Sequence, residues 1–461
     1  MESFSDLPVL KTFIHQGKSY LYEPYANQLY FLPKHLYGAV KIIENEGISN
    51  YILHHREDRS YDEVCMLINR GVIRSTFVVD IEHPDLRKLP HFLDRSVNDI
   101  ILQVTQACNF NCRYCLYAND TKVERQHSGN QMSWDIARKS IDFLFAHSLD
   151  ATKLRISFYG GEPLLNFHLI QRVVDYANKK FFTKSIEYKM TINGSIMTDE
   201  MVDFFITNEF NISISLDGPE HIQNSHRKFG ASGKGTYAVV LRNVEKIRQK
   251  SEDYFVNHVS FLPVIMEDED YNEIIGFFEE RQIDKKQIMV LKANLDGVDY
   301  VSSNSALERI KSLRLNEQLE EDELRRLDSI YADKRLIPPI WHHNGQCIPG
   351  LQRVFVDVNG KFYPCEKITE DHTYCIGDVT SGFDIDKASV ILNVGKLTET
   401  DCKHCWAMRF CEMCVSLCND IDRGAITCEK KRGICKVQKK RALTYFKSRI
   451  DKKATIKEAL E

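Results

Sequence analysis

The sequence predicts a three-part α/β protein. A parallel, partly closed (β/α)6 array, an incomplete TIM-like barrel, lies between an N-terminal hairpin-plus-helices (winged-helix-like) module and a C-terminal cysteine-rich domain. Three observations carry this. Six strand patterns alternate with helical patterns between about residues 98 and 292. Aromatic and β-branched residues flank two turn signals in "TFIHQGKSYLYEPYANQLYFL", residues 12–32. Of fourteen cysteines, three fall at 108–115 and seven between Cys402 and Cys435. The expected divisions are 1–95, 96–335, 336–440 and a helical tail, 441–461.

In the first part, helices are expected through "LYGAVKIIENEG" and "SYDEVCMLINRGV". Both are apolar at three- and four-residue spacing and end near glycine. Cys65 lies in that apolar stripe and reads as core. In the second part, strands are expected at 98–105, 154–158, 186–192, 211–216, 256–265 and 287–292. Helices fill the gaps, for example "SWDIARKSIDFLFAHS", with Ser133 as N-cap. In such arrays the loops after the strands build the active site, which sets Cys108, Gly160, Asn193 and Asp217 on one face. A charged linking helix is expected over 304–335, then an irregular stretch to about 437, with His342 and His343 in a solvated loop. The basic segment "KKRALTYFKSRIDKK" reads as a final helix.

Composition excludes several classes. The 461 residues are 43% hydrophobic and 27% charged, ordinary for a globular chain with a sizeable core. A net charge of −4 points to neither nucleic acid nor membrane. No stretch approaches the roughly 18 apolar residues of a membrane span. "MESFSDLPVL" lacks the blocks of a signal peptide, so a cytoplasmic protein is expected. In a reducing compartment clustered cysteines are metal ligands more often than disulfides.

Cys108, Cys112 and Cys115 follow the first strand at C-x3-C-x2-C spacing. A cubane [4Fe–4S] cluster takes four cysteine ligands in its usual form. Three protein ligands leave one iron open, as catalytic metal sites do. A zinc knuckle is the plainer alternative. "GGEP", 160–163, follows the second strand: its glycines allow close approach to a ligand, and Glu162 offers a carboxylate. Alone it reads as a strand-to-helix turn. "TING", 191–194, sets Asn193 at the third strand end, as a hydrogen-bonding group or a plain Asn-Gly turn. "SISLDGPEHIQNSHR", 213–227, brings Ser215, Asp217 and Arg227. Arginine suits a bidentate carboxylate; Asp217 reads as a turn cap.

With Tyr114 before the last cysteine, the triad resembles the signature of the radical S-adenosylmethionine (SAM) enzymes. The resemblance implies a [4Fe–4S] cluster on Cys108, Cys112 and Cys115, whose open iron chelates SAM. An electron from it cleaves the sulfonium, and the 5′-deoxyadenosyl radical takes hydrogen from the substrate. SAM contacts are implied for Tyr114, Gly160, Gly161, Glu162, Asn193, Ser215 and Arg227. The chain departs from the family at "NSHR", where His-Asp usually precedes the arginine.

The C-terminal run is Cys347-x12-Gly360-x4-Cys365, then Cys402-x2-Cys405-x5-Cys411, Cys414, Cys418, Cys428 and Cys435. It is similar to a SPASM domain, which implies two auxiliary [4Fe–4S] clusters. Cys347, Cys365 and either Cys414 or Cys418 belong to the first, with Cys375 as fourth ligand or an iron open to a substrate thiolate. Cys402, Cys405, Cys411 and Cys435 (or Cys428) belong to the second. A four-cysteine zinc ribbon is the alternative.

The N-terminal module resembles a PqqD-like leader-recognition domain (RRE), which binds a peptide by strand addition. The whole resembles a maturase of ribosomally made, post-translationally modified peptides. The implied partners are a ribosomal precursor peptide and an external electron donor such as flavodoxin or ferredoxin. A Cys thioether is the favoured product; carbon–carbon or ether crosslinking and sulfatase-type formylglycine formation are rivals. A zinc-dependent peptide-binding protein is the non-enzyme alternative.

Overall fold

The computed structural model describes residues 6–75, 78–115, 127–265, 270–292, 325–343, 347–368, 370, 372–420, 423–452 and 457–458. Strands Lys11–His15 (β1), Lys18–Glu23 (β2) and Gln28–Leu32 (β3) form an antiparallel meander. The β1–β2 turn sits on Gln16 and Gly17, both at positive φ, the twist a two-residue hairpin needs. Alternation then splits the strands by face. Leu21 and Leu32 pack on helices Lys34–Glu46 (α1), Ile48–His54 (α2) and Tyr61–Asn69 (α3), against Leu36, Val40, Ile43 and Leu67.

Past Asp80–Ile81 (β4) and Leu89–Arg95 (α4), the chain enters Asp99–Thr105 (β5). Every residue of β5 is buried, as expected for a strand covered on both faces. Phe110–Cys112 (β6) is a short offshoot; Trp134–His147 (α5) follows, capped by Ser133 on Ile136 N–H. The alternation continues through Lys153–Gly160 (β7), Phe167–Lys180 (α6), Ser185–Ile192 (β8), Asp199–Thr207 (α7) and Asn211–Ile214 (β9). Then come Glu220–His226 (α8), Arg227–Phe229 (β10) and Tyr237–Lys250 (α9). Glu252–His258 (α10), Val259–Phe261 (β11), Val264–Ile265 (β12), Asp270–Glu280 (α11) and Leu291–Lys292 (β13) complete the array.

Among the described residues β11, β9, β8, β7 and β5 pair in parallel in that order, with β12 and β13 as a separate parallel pair. Ile100, Leu102, Val104, Ile156 and Ile212 turn into the apolar core. The alternate positions Asp99, Arg155, Ser157, Lys189, Thr191 and Ser213, with apolar neighbours such as Ile101 and Met289, line a cavity of about 540 Å³.

Four expectations need correction. The strand expected at 256–265 is partly helix: Ser251 caps Tyr254 N–H, Glu252 and Asp253 fill the first turn, and α10 holds to His258. The stretch from 336 is not merely irregular. After Ile340–Trp341 (β14), which pairs with β4, Val354–Val356 (β15) joins β5 in parallel. Lys361–Tyr363 (β16), Gly377–Asp378 (β17) and Gly382–Phe383 (β18) then extend the same sheet to nine strands among the described residues. Third, the final helix starts early. Beyond Ile385–Leu392 (α12), Glu399–Lys403 (α13) and the pair Asn419–Asp420 (β19) and Ala425–Ile426 (β20), Thr427 caps a 24-residue helix, Cys428–Asp451 (α14). The boundary expected at 440/441 therefore falls inside one helix. Fourth, His342 and His343 are buried, at 3% and 5% exposure. His342 Nδ1 faces the His343 carbonyl at 2.9 Å and its Nε2 accepts from Gly395 N–H at 2.9 Å. Of the expected linking helix, 304–324 lies outside the described residues, while 325–332 is helical.

Helix α14 crosses back to the N-terminal sheet. Ala442, Tyr445 and Phe446 pack on Phe13, Tyr20, Tyr22 and Leu29, the face opposite α1–α3. Lys457–Glu458 (β21) then pairs in parallel with the edge of β3. No helix among the described residues is long and apolar enough to cross a membrane.

Candidate active site

The three clustered cysteines lie just beyond β5, on a loop fixed from both sides. On one side β6 pairs antiparallel with β10, setting Cys112 opposite Arg227. Arg113 N–H donates to His226 O at 2.9 Å, and Gly230 N–H to Asn109 O at 2.9 Å. On the other side the Gly160–Gly161 turn presses on the loop backbone. Gly161 N–H donates to Thr105 O and Glu162 N–H to Ala107 O. A Cβ on Gly160 would lie 2.0 Å from Thr105 O, and one on Gly161 would lie 2.4 Å from Ala107 O. The cysteine loop itself thus requires glycine at both positions. Phe110 N–H points at Cys108 Sγ at 3.4 Å, and Cys115 Sγ lies 3.5 Å from His127 Nε2.

Glu162 is fully buried. Its carboxylate accepts from Asn193 N–H at 2.7 Å and Leu164 N–H at 3.0 Å. Burial nonetheless raises its pKa to about 7. Asn193 ends β8. Its side chain donates to Asn109 Oδ1 at 2.7 Å and accepts from Ser195, while Asn109 donates to Ser195 Oγ. Ser215 sits between these strand ends, its N–H donating to Ile192 O at 2.9 Å.

Asp217 is more than a turn cap. Its carboxylate accepts from Tyr114 O–H at 2.6 Å, Arg227 Nε at 3.0 Å and Val264 N–H at 3.0 Å. The Arg227 guanidinium also lies 5.1 Å from the Tyr114 ring centroid. Burial alone would lower Arg227; the Asp217 carboxylate reverses this and holds it cationic. Sequence reasoning placed Tyr114 and Arg227 here but missed Asp217 as their common acceptor. It missed Asn109, Ser195 and His127 altogether, since single polar residues in loops carry no periodic signal.

Burial pushes the Cys112 thiol up to about 11 and Cys108 to about 12. Thiols so placed ionise when a metal centre takes them as ligands. Three of them on one braced loop fit the donor set of an iron–sulfur cluster. Residues 102–280 match the Radical SAM superfamily.

The chain carries a radical SAM enzyme domain.

It is 26% identical over 205 residues to the radical SAM cyclopropyl synthase TigE of Paramaledivibacter caminithermalis, covering 42% of this chain and 41% of that protein. Over 347 residues it is 23% identical to a cysteine-type anaerobic sulfatase-maturating enzyme of Clostridium perfringens, covering 70% and 89%. Its fold is similar to that of anSMEcpe solved with bound AdoMet and Cp18Cys peptide. The TM-score is 0.55 at 18% identity, over 76% of this chain and 98% of that one. The chain spans about two fifths of the length of the first curated relatives it matches. The radical SAM domain implies SAM and a [4Fe–4S] cluster.

Beyond this domain the cysteines fall into two groups. Cys347 and Cys365 are each within electrostatic reach of Cys414. Cys402, Cys405, Cys411 and Cys435 are within reach of one another. Fully buried Cys418 reaches members of both, namely Cys414, Cys435 and Cys402. Cys375 and Cys428 donate their thiols to the carbonyls of Gly377 and Leu397. Burial raises Cys365 and Cys405 to about 11 and Cys418 to about 12. Among the described residues no three His, Cys, Asp or Glu side chains converge closely enough for a single metal ion.

Proposed function

We propose that the chain is a radical SAM maturase of a ribosomal precursor peptide, built as a partial β/α barrel between a leader-binding module and an auxiliary-cluster region. One observation carries the first half. The Cys108–Cys115 loop, the Gly160–Glu162 turn and the Tyr114–Asp217–Arg227 hub meet beyond the ends of adjacent parallel strands. In this reading Cys108, Cys112 and Cys115 hold the [4Fe–4S] cluster. Gly160, Gly161 and Glu162 take the SAM amino group; each Glu162 oxygen accepts one N–H and keeps a lone pair. Asn193, Ser215 and Arg227 take its hydroxyls and carboxylate, and Tyr114 closes the pocket over the arginine. Reductively cleaved SAM supplies the carbon radical that removes hydrogen from the substrate.

The N-terminal meander supports a peptide substrate, because its β3 edge accepts a strand from elsewhere in the chain. A leader added there presents its core to the cavity beside the strands. The two downstream cysteine groups suit two auxiliary [4Fe–4S] clusters, on Cys347, Cys365 and Cys414 or Cys418, and on Cys402, Cys405, Cys411 and Cys435. A thioether from a peptide cysteine is the favoured bond, since a cluster-bound thiol is already deprotonated. Flavodoxin or ferredoxin is the proposed electron donor. A formylglycine-forming maturase is the second reading, favoured by the 347-residue alignment with the sulfatase-maturating enzyme.

The test is anaerobic incubation of reconstituted protein with SAM and reductant. Cys112→Ala abolishes 5′-deoxyadenosine formation; undiminished formation overturns the assignment. With a candidate precursor peptide, loss of two hydrogens and of a free thiol indicates a thioether, whereas a new aldehyde indicates formylglycine.

A further inference from the structure

Lys431 belongs to a basic run on α14, and lysine is ordinarily exposed. It is instead fully buried. It lies one helical turn before Cys435, so the two side chains share a face. The ammonium donates to Cys402 Sγ at 3.3 Å, to Gly395 O at 3.4 Å and to Thr398 Oγ1. Thr398 Oγ1 lies 3.6 Å from the same sulfur.

A buried ammonium persists only where an anion faces it. Two of the three acceptors are neutral oxygens, and among the described residues no carboxylate is bonded to Lys431. The remaining acceptor is the Cys402 sulfur. Cys402 is also the member that stands within reach of Cys405, Cys411 and Cys435.

We propose that Lys431 is the built-in counter-cation of the second auxiliary cluster and sets its reduction potential; this rests on the auxiliary-cluster reading above. Four thiolates on an oxidised cubane make a dianion, and one electron makes it a trianion. A fixed cation with an N–H···S bond, in a site shielded from solvent, stabilises the added charge and raises the potential. Lys431 also lies within electrostatic reach of Cys435 and Cys418, and its N–H···S bond falls on Cys402, a member of the second group.

Lys431→Met keeps length and apolar bulk while removing the charge; Lys431→Arg keeps the charge. Both are reconstituted anaerobically, assayed for iron and sulfide, and titrated redox-potentiometrically with EPR detection. About twelve irons per chain are expected for three cubanes. Lys431→Met lowers the reduction equilibrium of one cluster at least tenfold, about 59 mV for one electron, and leaves the others in place. Lys431→Arg stays near wild type. Should methionine disturb folding, Lys431→Gln carries the same expectation. Unchanged potentials at full iron content overturn the proposal, as do equal shifts in the Met and Arg variants. Wild-type protein with iron for a single cluster overturns the auxiliary-cluster reading and this inference with it.

Discussion

Glu162 shows how a single side chain ties the strand ends together. Its two oxygens join the turn after β7 to the start of the loop after β8, while its own N–H holds the cysteine loop. Burial sets its folded pKa at about 7, above an ordinary carboxylate near 4.5. The folded state therefore holds a proton that the unfolded chain has lost. The resulting stabilisation is full below about pH 4.5, is lost as pH rises to about 7, and is flat beyond. The span amounts to about 3 kcal/mol. Urea unfolding from pH 5 to 8 should show wild type losing stability relative to Glu162→Gln, and parallel curves would contradict it. The glutamate was legible from "GGEP". Its inward commitment to backbone N–H groups was not, because a motif names a residue without saying which way it faces. Asp217 was underrated for the same reason: a carboxylate after a strand looks alike whether it caps a turn or gathers Tyr114, Arg227 and Val264.

At the scale of elements, the cysteine loop depends on the strand end next to it. Gly161→Ala puts a Cβ against Ala107 O and within 2.9 Å of Cys108 Cβ. Backbone cannot yield as a flexible side chain can. The expected result is a normal circular dichroism spectrum with iron lost from the first cluster, by iron assay after reconstitution. Iron equal to wild type would show that the loop tolerates the displacement. The parallel array was legible because strand patterns alternate with helical patterns and Ser133 caps α5. Two elements were not. Helix α10 was hidden because "VNHVSFLPVI" carries four β-branched residues, Val256, Val259, Val264 and Ile265, and the cap at Ser251 outweighs that preference. Strand β15 was hidden because three apolar residues, Val354–Val356, carry too little period to read; only the open edge of β5 makes them a strand.

Across the whole molecule, the ends of the chain are built into each other. The N-terminal sheet is held between α1–α3 and α14. Arg409, two residues before Cys411, donates to Pro24 O at 2.6 Å and Tyr25 O at 2.7 Å in the β2–β3 turn. No sequence pattern announces such contacts, since they join residues nearly 400 positions apart. The pairing of β21 with β3 has a consequence for any peptide that docks there. Only residues 453–456 separate the end of the α14 cap from β21. A strand tethered this closely is present at an effective concentration of order millimolar, so an incoming peptide competes with a ligand the enzyme never releases. If the tail is paired nine tenths of the time, apparent affinity falls about tenfold. Truncation after Lys452 should recover that factor in fluorescence anisotropy with a labelled leader peptide, and unchanged affinity would show the two do not compete. Residues 457–458 then act as a threshold: weakly pairing strands are turned away, and only a peptide that pairs better than they do gains the edge.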